Sequence, residues 1–143
     1  MLGRKTYTQD ELDNAKAAVD QQLAAYERLA EAIDGATSDS GVKAALEAFE
    51  PLFFNNMTIV LDRYFVHRIR VVAGKDGNPL NEVELITDSL INNDGVMRGN
   101  NVIKLIPDES VSKLDHGDRI SLSATQFKRL SGAFLGEIRS RFL

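Results

Sequence analysis

A predominantly helical single domain, spanning 1–143, is the fold class this sequence predicts: a bundle of about five helices around a central apolar helix, with a small two-stranded antiparallel β-ribbon before the last. Three observations carry it. Thr8–Glu11 and Ser123–Gln126 are capping boxes, each opening a run of apolar residues spaced three and four apart. The stretch from Pro51 to Val72 is apolar almost all the way round a helix. Only between Val96 and Ser123 does the period change to that of strands.

The elements follow in order. After the first box, Leu12, Ala15, Val19, Leu23, Tyr26, Leu29/Ala30 and Ile33 form one apolar stripe, and Gly35 stops the helix. Thr37 to Ser40 is a cap-rich linker, and Val42, Ala45, Leu46 and Phe49 give a short second helix. Pro51 lacks an amide proton and disfavours helix at Glu50, which predicts a kink or break there. The central helix then runs to Ala73–Gly74, and Lys75–Asn78 is a turn. Asn78–Pro79 reads as N-cap plus first helical residue of a fourth helix, with Val83, Ile86, Leu90 and Ile91 on its apolar side. Val102–Ile106 and Arg119–Leu122 are the expected ribbon strands, placed within an insertion of about 102–123. Such a ribbon must lie on helices to persist. Phe127, Leu130, Phe134, Leu135, Ile138 and Phe142 complete the last helix.

A chain of 143 residues can bury roughly 70% of its unfolded surface, enough for a core without staples. With no cysteine, disulfides, thiolate metal sites and cysteine nucleophiles are excluded, and a reducing, cytoplasmic setting is expected. The net charge of −4 argues against a dedicated nucleic-acid binder. Asp62 and Arg63 interrupt the densest apolar run, which argues against a membrane span, and nothing at Met1–Tyr7 reads as a secretory signal.

The run Leu61–Arg70, followed by Gly74–Pro79 and Asn92–Gly95, resembles sequence found in a family of small uncharacterised bacterial proteins. The resemblance extends through the last helix. It implies a bacterial, cytosolic protein and brings no activity with it.

The candidate constellations are few. Asn56, Arg63, His67 and Arg70 fall within ~60° of one another at 100° per residue, a thin polar line on the central helix. As a site, the arginines would grip the oxygens of a phosphate or carboxylate while His67 supplies a proton. As structure, the line is a solvated face, or its arginines pair with carboxylates of neighbouring helices. Asp62, on an otherwise apolar side, is a general base, a metal ligand or half of an ion pair with Arg63, Arg68 or Arg129. No helical His-x3-His or Glu-x-x-His spacing supports a metal, and no cofactor motif is present. The Lys75–Asn78 turn offers an anion a helix N-terminus, though a plain turn is the simpler reading. His116, between Asp115 and Asp118, reads as an exposed turn residue, and no catalytic residue is assigned.

Two functions are therefore expected. The first is a non-catalytic interaction module that self-associates, as a homodimer, because seven phenylalanines need cover that one small core cannot supply. The alternative is a binding protein or enzyme for an anionic small molecule, with its site beside the central helix at Asn56, Arg63, His67 and Arg70. Neither reading involves nucleic acid or a membrane.

Overall fold

In the computed structural model, which describes residues 3–143, five α-helices are α1 Gln9–Ala36, α2 Ser40–Tyr64, α3 Arg70–Ala73, α4 Pro79–Asn92 and α5 Ala124–Phe142. α2 and α5 pack on each other and lie between α1 on one side and α4 on the other. Phe54, Leu61, Phe65, Leu80, Ile86, Phe127, Phe134 and Phe142 are fully enclosed where these helices meet.

α1 begins on its capping box. The Thr8 hydroxyl accepts from the Glu11 amide at 3.2 Å, and the Glu11 carboxylate accepts from the Thr8 amide at 2.8 Å. Arg4 Nη2 donates to the same carboxylate at 2.9 Å. The Arg4 hydrogen bond, followed by that from Thr8, lowers the Glu11 pKa from 4.5 to about 2. A depressed carboxylate stabilises the fold above its unfolded pKa and loses that contribution as the pH falls through the folded value. Both partners are 38% exposed, so solvent screening keeps the effect small. Glu11→Gln should remove this contribution at neutral pH and flatten the fall in stability between pH 4.5 and 2, as read by urea unfolding at several pH values.

The expected break at Pro51 does not occur. α2 runs from its Asp39 cap, which accepts from the amides of Gly41 and Val42, straight through Pro51 to Tyr64. Proline removes one helical bond and frees the carbonyl four residues back, here that of Glu47. Glu47 is exposed, so water satisfies that carbonyl.

The break falls at Phe65 instead. Phe65 buries its ring edge-on against Tyr7 at 4.9 Å, and the last carbonyls of the helix find new donors. The Phe65 amide donates to Asp62 O, while Arg68 Nη1 and the Arg68 amide both donate to Phe65 O. Arg4 bridges this segment in parallel, donating to His67 O and accepting from Ile69 N. The central segment is thus a helix, a turn and the single-turn α3.

α4 is the most enclosed helix, with eight of its 14 residues buried. Asn78 caps it by accepting from the amides of Leu80 and Asn81, so the turn before it spends its anion-binding amides internally.

No strand forms among the described residues, and the expected ribbon is absent. Lys104 bridges Asp76, and Arg119 bridges Val96. Around the second bridge Met97 N donates to Asp118 O, Gly117 N to Met97 O and Ile120 N to Gly95 O, and helix side chains supply further partners. Asn55 of α2 donates to Ile120 O and accepts from Leu122 N, both at 3.0 Å, much as a neighbouring strand would. Glu82 of α4, with no exposed surface, accepts from the amides of Val111 at 3.0 Å and Ser112 at 2.7 Å. The period-two alternation still acts: Met97, Ile103, Ile120 and Leu122 turn inward and are buried. The segment from 96 to 123 is a strap laid across α2 and α4.

Between Tyr26 and Phe54 not one residue is buried. This stretch is the outer half of α1, the connecting turn and the first half of α2, a helical hairpin of which Ala30, Leu46 and Phe53 pack against the core only partly buried. It carries six carboxylates (Glu27, Glu31, Asp34, Asp39, Glu47 and Glu50) against two cations, Arg28 and Lys43. Its net charge of −4 equals that of the whole chain, so the remainder is neutral.

Candidate functional site

Because the helix ends at Tyr64, the four residues of the polar line do not share one helix. Asn56 and Arg63 lie on α2, His67 in the turn and Arg70 at the start of α3. Asn56, Arg63 and His67 are exposed. Arg70 is engaged within the fold, donating to Gly74 O at 3.1 Å, to Asn81 Oδ1 at 2.7 Å and to Glu84 Oε2 at 2.5 Å. It joins Asn78, Asn81 and Arg141 in holding the carbonyls of Val72, Ala73 and Gly74, which fixes the chain between α3 and α4.

Asp62 pairs with Arg68, one of the three arginines expected for it. Arg68 Nη2 lies 2.6 Å from Asp62 Oδ1 and 3.1 Å from Leu80 O. The guanidinium is 4% exposed and sits over the Phe134 ring at 5.3 Å. It joins the end of α2 to α4 and α5, which is an architectural role. His116 is exposed in its turn, where its amide donates to Asp115 Oδ1. Among the described residues no three His, Cys, Asp or Glu side chains gather where a metal would sit, and no helix is long and apolar enough to cross a membrane.

The outward face of α2 is the feature that sequence reading missed. Val42, Ala45, Phe49, Leu52, Asn56, Ile59 and Arg63 recur at alternating intervals of three and four, the spacing of a coiled-coil seam. On a helix they lie about 170° from the buried stripe of Phe54, Met57, Thr58 and Leu61, so α2 has two opposed apolar faces. Leu52 is 70% exposed, Phe49 44% and Val42 41%. Beside the seam, Phe49 stacks on Phe53 at 5.5 Å and Phe53 on Tyr26 at 6.1 Å, which holds the Phe49 ring in place. Tyr26 packs against Glu50, whose carboxylate accepts from the Ala124 amide at the start of α5. Burial of Tyr26, and then the Glu50 charge, raise its pKa, so the phenol stays neutral. The signal was present in the sequence. Assuming a break at Pro51 cut the seam in two and concealed it.

No protein-family model matches this chain, and no curated protein or solved structure matches it.

Proposed function

We propose that the protein is a non-catalytic, self-associating module of the bacterial cytoplasm, in which two copies pack side by side through the outward seam of α2. The observation that carries this reading is the exposed seam: a long helix presents Val42, Phe49 and Leu52 to water in the same register as a coiled coil. Solvated apolar side chains at that spacing lose their hydration cost when a matching seam covers them. A twofold interface is self-complementary, so one seam is sufficient.

Asn56 sets the register. It falls at the position facing its own copy in a parallel pair, where two asparagines hydrogen-bond across the seam. An antiparallel pair would set it against a residue of the other seam row, Ala45, Leu52 or Ile59, leaving its amide unpartnered. A buried asparagine at such a position specifies pairing at some cost in stability.

The test is sedimentation equilibrium from 1 µM to 1 mM. A reversible monomer–dimer equilibrium is expected, and a strict monomer across that range overturns the reading. Asn56→Leu should tighten association about tenfold and admit species larger than a dimer. If it instead weakens association, the parallel register is wrong.

A further inference from the structure

A cleft of about 710 Å³ opens on the side of the molecule where the Lys75–Pro79 turn, the strap and the end of α5 meet. It lies away from the seam and rests on different residues. Its charged lining residues are Lys75, Lys104, Arg141, Asp76, Glu109 and Glu137, and Arg141 is engaged within the fold. Arg141 Nε lies 2.7 Å from Glu137 Oε2, and Arg141 Nη2 lies 3.6 Å from Asp76 Oδ2. That leaves Lys75, Lys104 and Glu109, none of which has an ion-pair partner among the described residues. The lining as a whole is neutral, three cations against three carboxylates, but Arg141 serves both Glu137 and Asp76, so Lys75 and Lys104 are the cations left without an ion-pair partner.

The two lysines are held together by backbone. The Lys104 amide donates to Lys75 O at 2.8 Å, which locks the strap to the turn. Gly77 permits this approach, since a Cβ there would stand 3.0 Å from Lys104 O. The same face of the strap presents Val102 and Ile106, 45% and 53% exposed, and Pro79 adds a third apolar group to the wall. Two free ammonium groups above an uncovered aliphatic wall fit one chemical type.

We infer that this cleft binds a monocarboxylate with an aliphatic body, its head between Lys75 and Lys104 and its tail along Val102, Ile106 and Pro79. A phosphate monoester fits less well. With about twice the charge it meets about twice the repulsion from the three carboxylates that a monocarboxylate meets, and it has no use for the apolar wall. An aliphatic amine would meet only one unpaired carboxylate and two unpaired cations.

The experiment is a titration of the 15N-labelled full-length protein with hexanoate, hexylamine and inorganic phosphate in separate series at constant ionic strength. Hexanoate should shift the amides of residues 75–79 and 102–106 saturably, with a Kd of about 1 mM, a reasonable value for eight heavy atoms. The other two should not saturate. Lys75→Ala/Lys104→Ala, which removes two exposed side chains, should keep the wild-type melting temperature and weaken hexanoate at least tenfold. Three results overturn the assignment: no saturable shift at those amides, equal binding by hexylamine or phosphate, or unchanged hexanoate affinity in the folded double variant.

Discussion

Arg68→Ala should cost about 3–5 kcal/mol of stability, the largest effect expected of any single substitution outside the aromatic core. The alanine leaves Asp62 as a buried carboxylate without its cation and takes donors away from the carbonyls of Phe65 and Leu80. An uncompensated buried charge is expensive because the interior cannot replace the water it gave up. For a chain of this length the melting temperature should fall by roughly 10 °C. Arg68→Lys should recover only part of the loss. A lysine restores the positive charge, but its single ammonium cannot span Asp62, Phe65 O and Leu80 O as the planar guanidinium does. The pair Asp62→Leu/Arg68→Met separates the terms. It removes both charges, so its stability should lie above that of Arg68→Ala while still lacking the bonds to the two carbonyls. Urea unfolding followed by circular dichroism measures all four proteins. A loss below 1 kcal/mol for Arg68→Ala would mean that the junction of α2, α4 and α5 does not depend on this pair.

Leu52→Glu should abolish self-association without unfolding the monomer. Leu52 is the most exposed large apolar residue of the seam, so its side chain adds little to the isolated fold. In a pair, each copy would cover it at the centre of the interface. Burying a leucine is worth roughly 1.5–3 kcal/mol, and the substitution removes two of them per dimer while placing two carboxylates face to face. A weakening of the dimer by at least about 100-fold follows, since each tenfold is 1.4 kcal/mol. The paired measurement is sedimentation for association and thermal unfolding at low concentration for the monomer. An unchanged dimer would exclude the α2 seam, and a collapsed melting temperature would show that Leu52 serves the monomer core.

Where sequence reasoning succeeded, the deciding forces were local. The two capping boxes, the Asn78–Pro79 start and the stripes of α1, α4 and α5 all depend on groups within one or two turns of each other. It failed where distant groups decide. The end of α2 has no glycine or proline to announce it; it is set by Arg68, by the burial of Phe65 against Tyr7 and by the bridge to Arg4. The strap reads as two strands because it alternates. Nothing local reveals that Asn55 and Glu82, some 29 to 67 residues away, serve as its hydrogen-bonding partners. Pro51 misled in the other direction, since its cost depends on whether water reaches the Glu47 carbonyl. Asn56 and Arg63 were legible as members of one polar line, while their place in a seam became visible only once α2 was continuous. Lys75 and Lys104 are 29 positions apart in the sequence, and only the strap brings them together.

The uneven placement of charge makes this molecule electrically lopsided, a neutral body bearing a fourfold negative prong. Alignment of two such molecules in the same direction sets prong beside prong, and the repulsion opposes the apolar attraction along the seam. Dissolved salt shortens the reach of that repulsion to about 10 Å at 0.1 M while leaving hydrophobic burial intact. Pairing of this kind therefore grows firmer as ionic strength rises, the reverse of an assembly held by opposite charges.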